Sequence, residues 1–332
     1  MAKYIGKRLV VNAGILLVVV FLIYTLMRLL PASYVETMAI QLSQAPGAKP
    51  YEEWVAQLNA QYGLDKGILE GFFIQLTNML RGNFGDSWKY AVPVTEKFSQ
   101  VIGVSFLMGS IALVFELVIA TFLGIYAARH QYRPADYLIT TGALLGISLP
   151  SFFFATILKL MFSVKLGWFD LYGLVGRNFQ NLSKWGQFWD MASHLVLPIT
   201  TLVVVSVGSL MRYTRTNMLE VLSADYIRTA RAKGMKETRV VFFHGFRNTL
   251  IPLITIIGGS LPGLFAGSLI TETLFAIPGI GYTAYQAMIA GDIPFSMFYL
   301  TFLAILTLLG NLLSDIAYSL VDPRVRLGGQ YG

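Results

Sequence analysis

The sequence predicts an all-α protein that crosses a membrane several times, and three observations carry that prediction. Hydrophobic residues make up 55% of the chain against 13% charged, far from soluble averages, and the mean hydropathy is +0.61. Uncharged apolar runs of about 20 residues recur, each long enough for one helix to cross the hydrocarbon core. They are continuously apolar instead of alternating, which disfavours a β-barrel. The basic surplus, +7 overall, flanks these runs and is not gathered in a separate domain. It therefore fits the positive-inside bias of membrane proteins better than nucleic-acid binding. The absence of cysteine excludes disulfides and thiolate metal sites.

Residues 1–30 hold Lys3, Lys7 and Arg8, then an uncharged run from Leu9 to Met27. That run exceeds the apolar core of a cleaved signal peptide, so it is read as a retained first span with a cytoplasmic N-terminus. Arg28, at its far end, is expected to snorkel to the interface. Residues 31–100 carry five basic and seven acidic residues, which predicts a small subdomain on the opposite, extracytoplasmic side. Within it Tyr51–Gln61 reads as an amphipathic helix, with Trp54, Leu58 and Tyr62 spaced for one face.

Residues 101–320 hold five more spans, giving six in all. They are expected at Val101–Ala128, Tyr137–Val164, His194–Met211, Leu250–Ile270 and Met297–Leu320. Pro150 interrupts the third, and a proline at membrane depth frees backbone groups that a neighbour or a cavity must satisfy. Residues 165–193, rich in Trp, Tyr and Phe, read as an interfacial outer loop, and 271–292 as an outer turn. Residues 321–332 form a cytoplasmic tail containing Asp322-Pro323-Arg324.

A polar loop, 212–250, separates the fourth and fifth spans. From Arg212 to Arg247 it holds eight Lys/Arg against three acids. Ser223 is a candidate N-cap, Asp225 suits the first turn, Arg231 and Lys233 the last, and Gly234 supplies a left-handed terminator. These signals predict a short helix, Ala224–Lys233. Ala230 and Ala232 leave room for an approaching surface, with Tyr226 and the arginines as anchors. On composition alone, a solvated basic loop is the plainer reading.

Catalytic chemistry is not evident. There is no Walker A pattern, and His130, His194 and His244 lack the spacing of a helical metal pair. Ionisable residues fall in or near the spans at Glu116, Lys159, Glu272 and Asp315. Such groups face a wet path or pair structurally within a bundle, and both readings stay open for Glu116 and Asp315. Lys159 is expected to snorkel. Glu272 precedes Pro278-Gly279-Ile280-Gly281, a run demanding special backbone geometry, so it is a candidate for fixing a gate.

The basic loop resembles the membrane subunits of bacterial ATP-binding-cassette importers, in their peptide-transporting branch. The matching residues are Arg228-Thr229-Ala230-Arg231-Ala232-Lys233-Gly234 and His244-Gly245-Phe246-Arg247-Asn248-Thr249-Leu250-Ile251-Pro252. The broader superfamily prefers Glu-Ala-Ala where this chain has Arg228, Thr229 and Ala230, a departure that the peptide branch shares. Tyr62-Gly63-Leu64-Asp65-Lys66, Arg81-Gly82-Asn83-Phe84-Gly85-Asp86-Ser87, Pro93-Val94-Thr95, Glu272-Thr273-Leu274-Phe275 and Asp322-Pro323-Arg324 extend the resemblance over nearly the whole chain.

The resemblance implies a type I importer permease fold in a bacterial cell membrane, forming half of a path for ATP-driven peptide uptake. It implies four kinds of partner: a second homologous permease, two cytoplasmic ATPases, an extracytoplasmic peptide-binding protein and membrane lipid, with no nucleic acid. No cofactor is implied for this chain; ATP and Mg would be bound by the ATPases. Tyr226, Arg228, Thr229, Ala230, Arg231, Ala232, Lys233 and Gly234 would dock in a cleft of one ATPase. Glu116, Glu272, Pro278, Gly279, Gly281 and Asp315 would be gate or path residues. Nickel-chelate or glycoside cargo is an alternative within the family. Outside it, the alternative is an ion-coupled transporter with Glu116 and Asp315 as proton relay.

Overall fold

In the computed structural model, described for residues 2–29, 34–45, 47–247, 249, 253, 256, 258–266 and 268–321, helices carry most of the described residues. Asp322-Pro323-Arg324 and part of the expected fifth span, with Pro252 and Gly267, lie outside the described residues. The first helices are α1 (Ala2–Leu29), α2 (Tyr34–Ser43), α3 (Tyr51–Gln61) and α4 (Ile68–Leu80). Then come α5 (Val94–Arg129), α6 (Pro134–Ser148) and α7 (Ser151–Leu158), which runs on into a π-helical turn, Lys159–Lys165. α8 (Lys184–Leu222) and α9 (Asp225–Ala232) follow. Later helices include Leu269–Phe275, Ile280–Ile289 and Ile293–Val321.

Among the described residues, four helical stretches are long and apolar enough to cross a membrane, and the number reaches six if each of two bent pairs is one span. One bent pair is α6 with α7 and its π turn, which meet at 104°. The break falls at Leu149-Pro150, where Leu149 is extended at ψ 127°; proline cannot donate to the preceding turn and disfavours helical geometry in the residue before it.

Several helices outrun the apolar runs that announced them. α8 has 39 residues, about ten more at each end than the expected fourth span. Ser183 starts it by accepting the Gly186 N–H on its Oγ at 3.2 Å. Hydropathy marks only the part of a helix that needs lipid, while capping decides where the helix stops. The stretch expected as an outer turn, 271–292, instead contains the helix Ile280–Ile289.

The described chain divides into two compact units, Ala2–Gly103 with Tyr282–Leu308, and Val104–Gly281 with the described residues from Leu309. In the first, Val20, Tyr24, Met27 and Met297 close around Phe72. α3 covers Val35 and Ala39 of α2 with Leu58, flanked by Trp54 and Tyr62 as its spacing predicted. Arg28, at the end of α1, reaches the segment that follows. Its guanidinium donates to the carbonyls of Leu64 and Lys66 at 2.9 Å and to Tyr24 Oη at 3.0 Å, stapling the turn before α4.

In the second unit, α6 and α8 approach so closely that only glycine fits. A Cβ on Gly208 would lie 2.5 Å from the Ala143 carbonyl oxygen, and one on Gly146 2.8 Å from that of Val204. Small residues at crossings are how membrane helices gain dispersion contact without a hydrophobic driving force. At one end of this pair Arg215 grips Asp136 through Nε and Nη2, both at 2.7 Å.

Candidate functional site

α9 begins one residue later than its signals suggested. Ser223 does not cap it: Ser223 ends α8, and its Oγ donates to the Glu220 carbonyl at 2.7 Å. Ala224 occupies the N-cap position without a side-chain bond. The far end follows the prediction, with Lys233 as C-cap and Gly234 at φ +73°, a region L side chains rarely enter.

The helix has two faces. Ile227 and Ala230 are buried against Val240, with Met235 alongside. Tyr226, Arg228, Thr229, Arg231, Ala232, Lys233 and Gly234 are exposed. Ala230 therefore does not offer the small outward surface expected of it; at helical spacing it shares the inner face with Ile227, and only Ala232 points away. Arg231 is committed within the chain, donating through Nη2 and Nε to the two carboxylate oxygens of Glu237 at 2.8 and 3.2 Å. That contact holds the Glu237 carboxyl below the usual carboxylate range. Arg228 lies 3.4 Å from Asp225 on an exposed edge.

Beyond Glu237 the chain turns through a π-helical segment, Val240–Phe246. Val241 packs with Met218 of α8 and with Ile125 and Ala128 of α5. The seat of α9 is thus continuous with two membrane helices.

Glu272 is fully buried. Ser105 and Ser268 hydroxyls donate to its Oε1 at 2.6 and 2.7 Å, and Ser105 Oγ also accepts the Ile280 N–H at 2.7 Å. The intervening turn passes through Ala276 at φ +50°, and the Glu272 carbonyl accepts the Ile277 N–H at 2.9 Å. A Cβ on Gly279 would meet the Glu272 carboxyl and Ser105 Oγ at 2.5 Å, and one on Gly281 the Leu269 Cα at 2.6 Å. Pro278 fixes the φ of the residue before Gly279. The carboxylate, the serine and the two glycines form one object: a turn folded around a buried acid.

Glu116 lies elsewhere, on a cavity of about 330 Å³ shared with Ser151, Thr201, Ser206 and Ser260, and it bonds to Ser206. Asp315 is half-buried in the last helix and does not line this cavity. Lys159 departs from expectation. It is 9% exposed, its Nζ donates to the Leu274 carbonyl, and it sits 3.8 Å from the Tyr172 ring centroid and 5.2 Å from that of Phe275. A cation at the C-terminal end of Leu269–Phe275 meets the negative pole of that helix, which outweighs snorkelling.

Two groups escaped the sequence reading. Asp136 is buried and pairs with the part-exposed Arg215, 79 residues away, so nothing local reveals it. Asp292 is also fully buried. It accepts from the Ser87 hydroxyl, the Lys89 N–H and the Phe295 N–H. An Asp directly before Ile293-Pro294 is an N-cap signature and was legible.

Residues 120–327 match the family model described as binding-protein-dependent transport system inner membrane component. The chain is 35% identical over 98% of its length to the oligopeptide transport system permease protein AppB of Bacillus subtilis, covering 99% of that protein. It is 31% identical to the oligopeptide transport system permease protein OppB of Haemophilus influenzae, over 98% of this chain and all of that one. To the di/tripeptide transport system permease protein DppB of Pseudomonas aeruginosa it is 32% identical, over 98% of this chain and 99% of that one.

Proposed function

Since the chain belongs to the family of binding-protein-dependent transport system inner membrane components, we propose that it forms half of the path of an ATP-driven peptide importer. Its partners are a second, related permease, two cytoplasmic ATPases that bind ATP and Mg, and an extracytoplasmic peptide-binding protein. The chain itself performs no chemistry and carries no cofactor. It sits in the cytoplasmic membrane of a bacterium with both termini inside, and residues 31–100 form a subdomain on the far side.

The observation that carries this reading is the seating of α9. The helix turns Tyr226, Arg228, Ala232 and Lys233 outward while Ile227 and Ala230 hold it to Val240. A partner that grips the outer face pulls on Val240–Phe246, and through Met218 and Ile125 on α8 and α5. ATP-driven closure shifts the bundle only insofar as its contacts with α9 differ between the two states. The cavity beside Glu116, largely apolar but bordered by Ser151, Thr201, Ser206 and Ser260, belongs to the path. The turn around Glu272 is a fixed gate element instead of a cargo ligand, because its carboxylate is fully buried.

The test replaces Gly234, at φ +73°, with Val in the reconstituted complex. The β-branched residue cannot hold that conformation without strain, so the helix end shifts. Peptide uptake is expected to fall at least tenfold per ATP hydrolysed, with assembly retained. Unchanged uptake and peptide-stimulated hydrolysis in a fully assembled variant would reject the coupling role.

A further inference from the structure

The helix α4, Ile68–Leu80, lies in a segment whose charge balance reads as an external subdomain, yet it packs against the uncharged apolar run of α1. Phe72 is buried among Val20, Tyr24 and Met27 of α1, and its ring meets that of Phe21 at 5.0 Å and that of Tyr24 at 5.9 Å. These residues belong to the uncharged run Leu9–Met27, which at 1.5 Å per residue is about as long as the hydrocarbon core is thick. Tyr24 and Phe21 lie about 8 and 12 Å inside the Leu29 end of α1. Phe72 is therefore inside the leaflet that this end enters.

α4 presents three stripes. At about 100° per residue, Ile68, Phe72, Leu76 and Met79 share the face that packs in the α1 cluster. Leu69, Phe73 and Leu80 fall within about 40° of one another beside it, and they are 64%, 62% and 81% exposed. On the opposite side Gln75 and Asn78 line a recess of about 480 Å³ together with Lys66 and Asp86. Lys66 and Glu70 mark one end of the helix with an ion pair at 3.6 Å, and Arg81 marks the other.

We propose that the Leu69–Phe73–Leu80 stripe is a lipid-contacting surface, with α4 embedded in the leaflet at the C-terminal end of α1 and its Gln75–Asn78 side turned to a water-filled recess. The occupant is acyl chain because the stripe lies at the depth of a lipid-bathed span. At the same end α1 also leaves Leu22, Leu26 and Leu29 exposed at 52%, 64% and 65%. A half-apolar helix bounded by charges is the form that sits at such a boundary. The segment is thus anchored twice to the bilayer.

The chain's lack of cysteine makes the test direct. Leu69→Cys, Phe73→Cys, Leu80→Cys and, as an aqueous reference, Asn78→Cys are labelled singly with a nitroxide in the importer complex reconstituted in vesicles. Collision with oxygen, which partitions into lipid, is compared with collision with a water-soluble nickel chelate. The oxygen-to-nickel ratio is expected to be severalfold higher at the three stripe positions than at Asn78. Equal ratios would put the helix in water and overturn the proposal. Low collision with both reagents at the stripe would mean that protein, such as a second permease, covers it, and would overturn it equally.

Discussion

Gly279 owes its identity to Glu272. Any side chain there would enter the space of a carboxylate already held by Ser105 and Ser268. Gly279→Ala is expected to cost about 1–3 kcal/mol through overpacking and to separate Ser105 from the Ile280 N–H; a thermal midpoint several degrees below wild type in detergent checks it. At Tyr90 the pressure is electrostatic. Its hydroxyl donates to the Thr283 carbonyl at 3.0 Å, and burial, with Asp292 and Tyr282 adding repulsion, pushes the phenol from 10.0 up to about 12. A raised folded-state value means the contribution is complete below pH 10 and is lost as pH rises toward 12. Wild-type protein is therefore expected to lose thermal stability over that window more steeply than Tyr90→Phe, which has no proton to lose there.

At the scale of elements, Lys159 joins three pieces of chain that hydropathy reads separately. It lies at the start of the π turn after α7, caps Leu269–Phe275 at the Leu274 carbonyl, and covers Tyr172 in the connection to α8. The neighbouring Gly173 N–H donates to the Phe275 carbonyl at 2.8 Å, so the connection is stitched to the helix at two points. Lys159→Met keeps most of the stem but removes the charge. It is expected to cost about 2 kcal/mol and to expose the 166–178 connection to protease, with limited proteolysis as the readout. Wild-type protease resistance in Lys159→Met would show that packing alone holds the connection. The long helices and α9 were legible, because apolar runs and capping residues are local; the helices Leu269–Phe275 and Ile280–Ile289, in a stretch read as a turn, were not. The extent of α8 was missed because hydropathy marks only its apolar middle, and the inward turn of Ala230 because it depends on Val240.

For the molecule as a whole, the division into two units follows from where distant segments meet. Ser87 and Lys89 reach Asp292, Lys89 Nζ reaches the Gln286 carbonyl at 2.9 Å, and Phe84 and Phe98 both pack edge-on against Phe298. Segments some 200 residues apart thereby build one body. Asp292→Ala removes the cap of the last helix and leaves the Lys89 N–H without its acceptor, an expected loss of about 2–3 kcal/mol. Hydrogen exchange should register it as faster exchange in 85–90 and 286–296 together, with α6 and α8 unchanged. Acceleration confined to 292–296 would mean that the two segments are not energetically joined.

The amino-acid sequence alone determined that this chain is helical, that it lives in a membrane, where its basic loop falls, and that a short helix there ends at Gly234. Those properties come from composition, from apolar runs and from residues acting on their immediate neighbours. Only the tertiary structure decided which side chains hold Glu272, Asp136 and Asp292, which face of α9 is outward, and that α4 packs on α1. Each of these depends on a partner tens to hundreds of residues away, and a one-dimensional pattern carries no record of who that partner is.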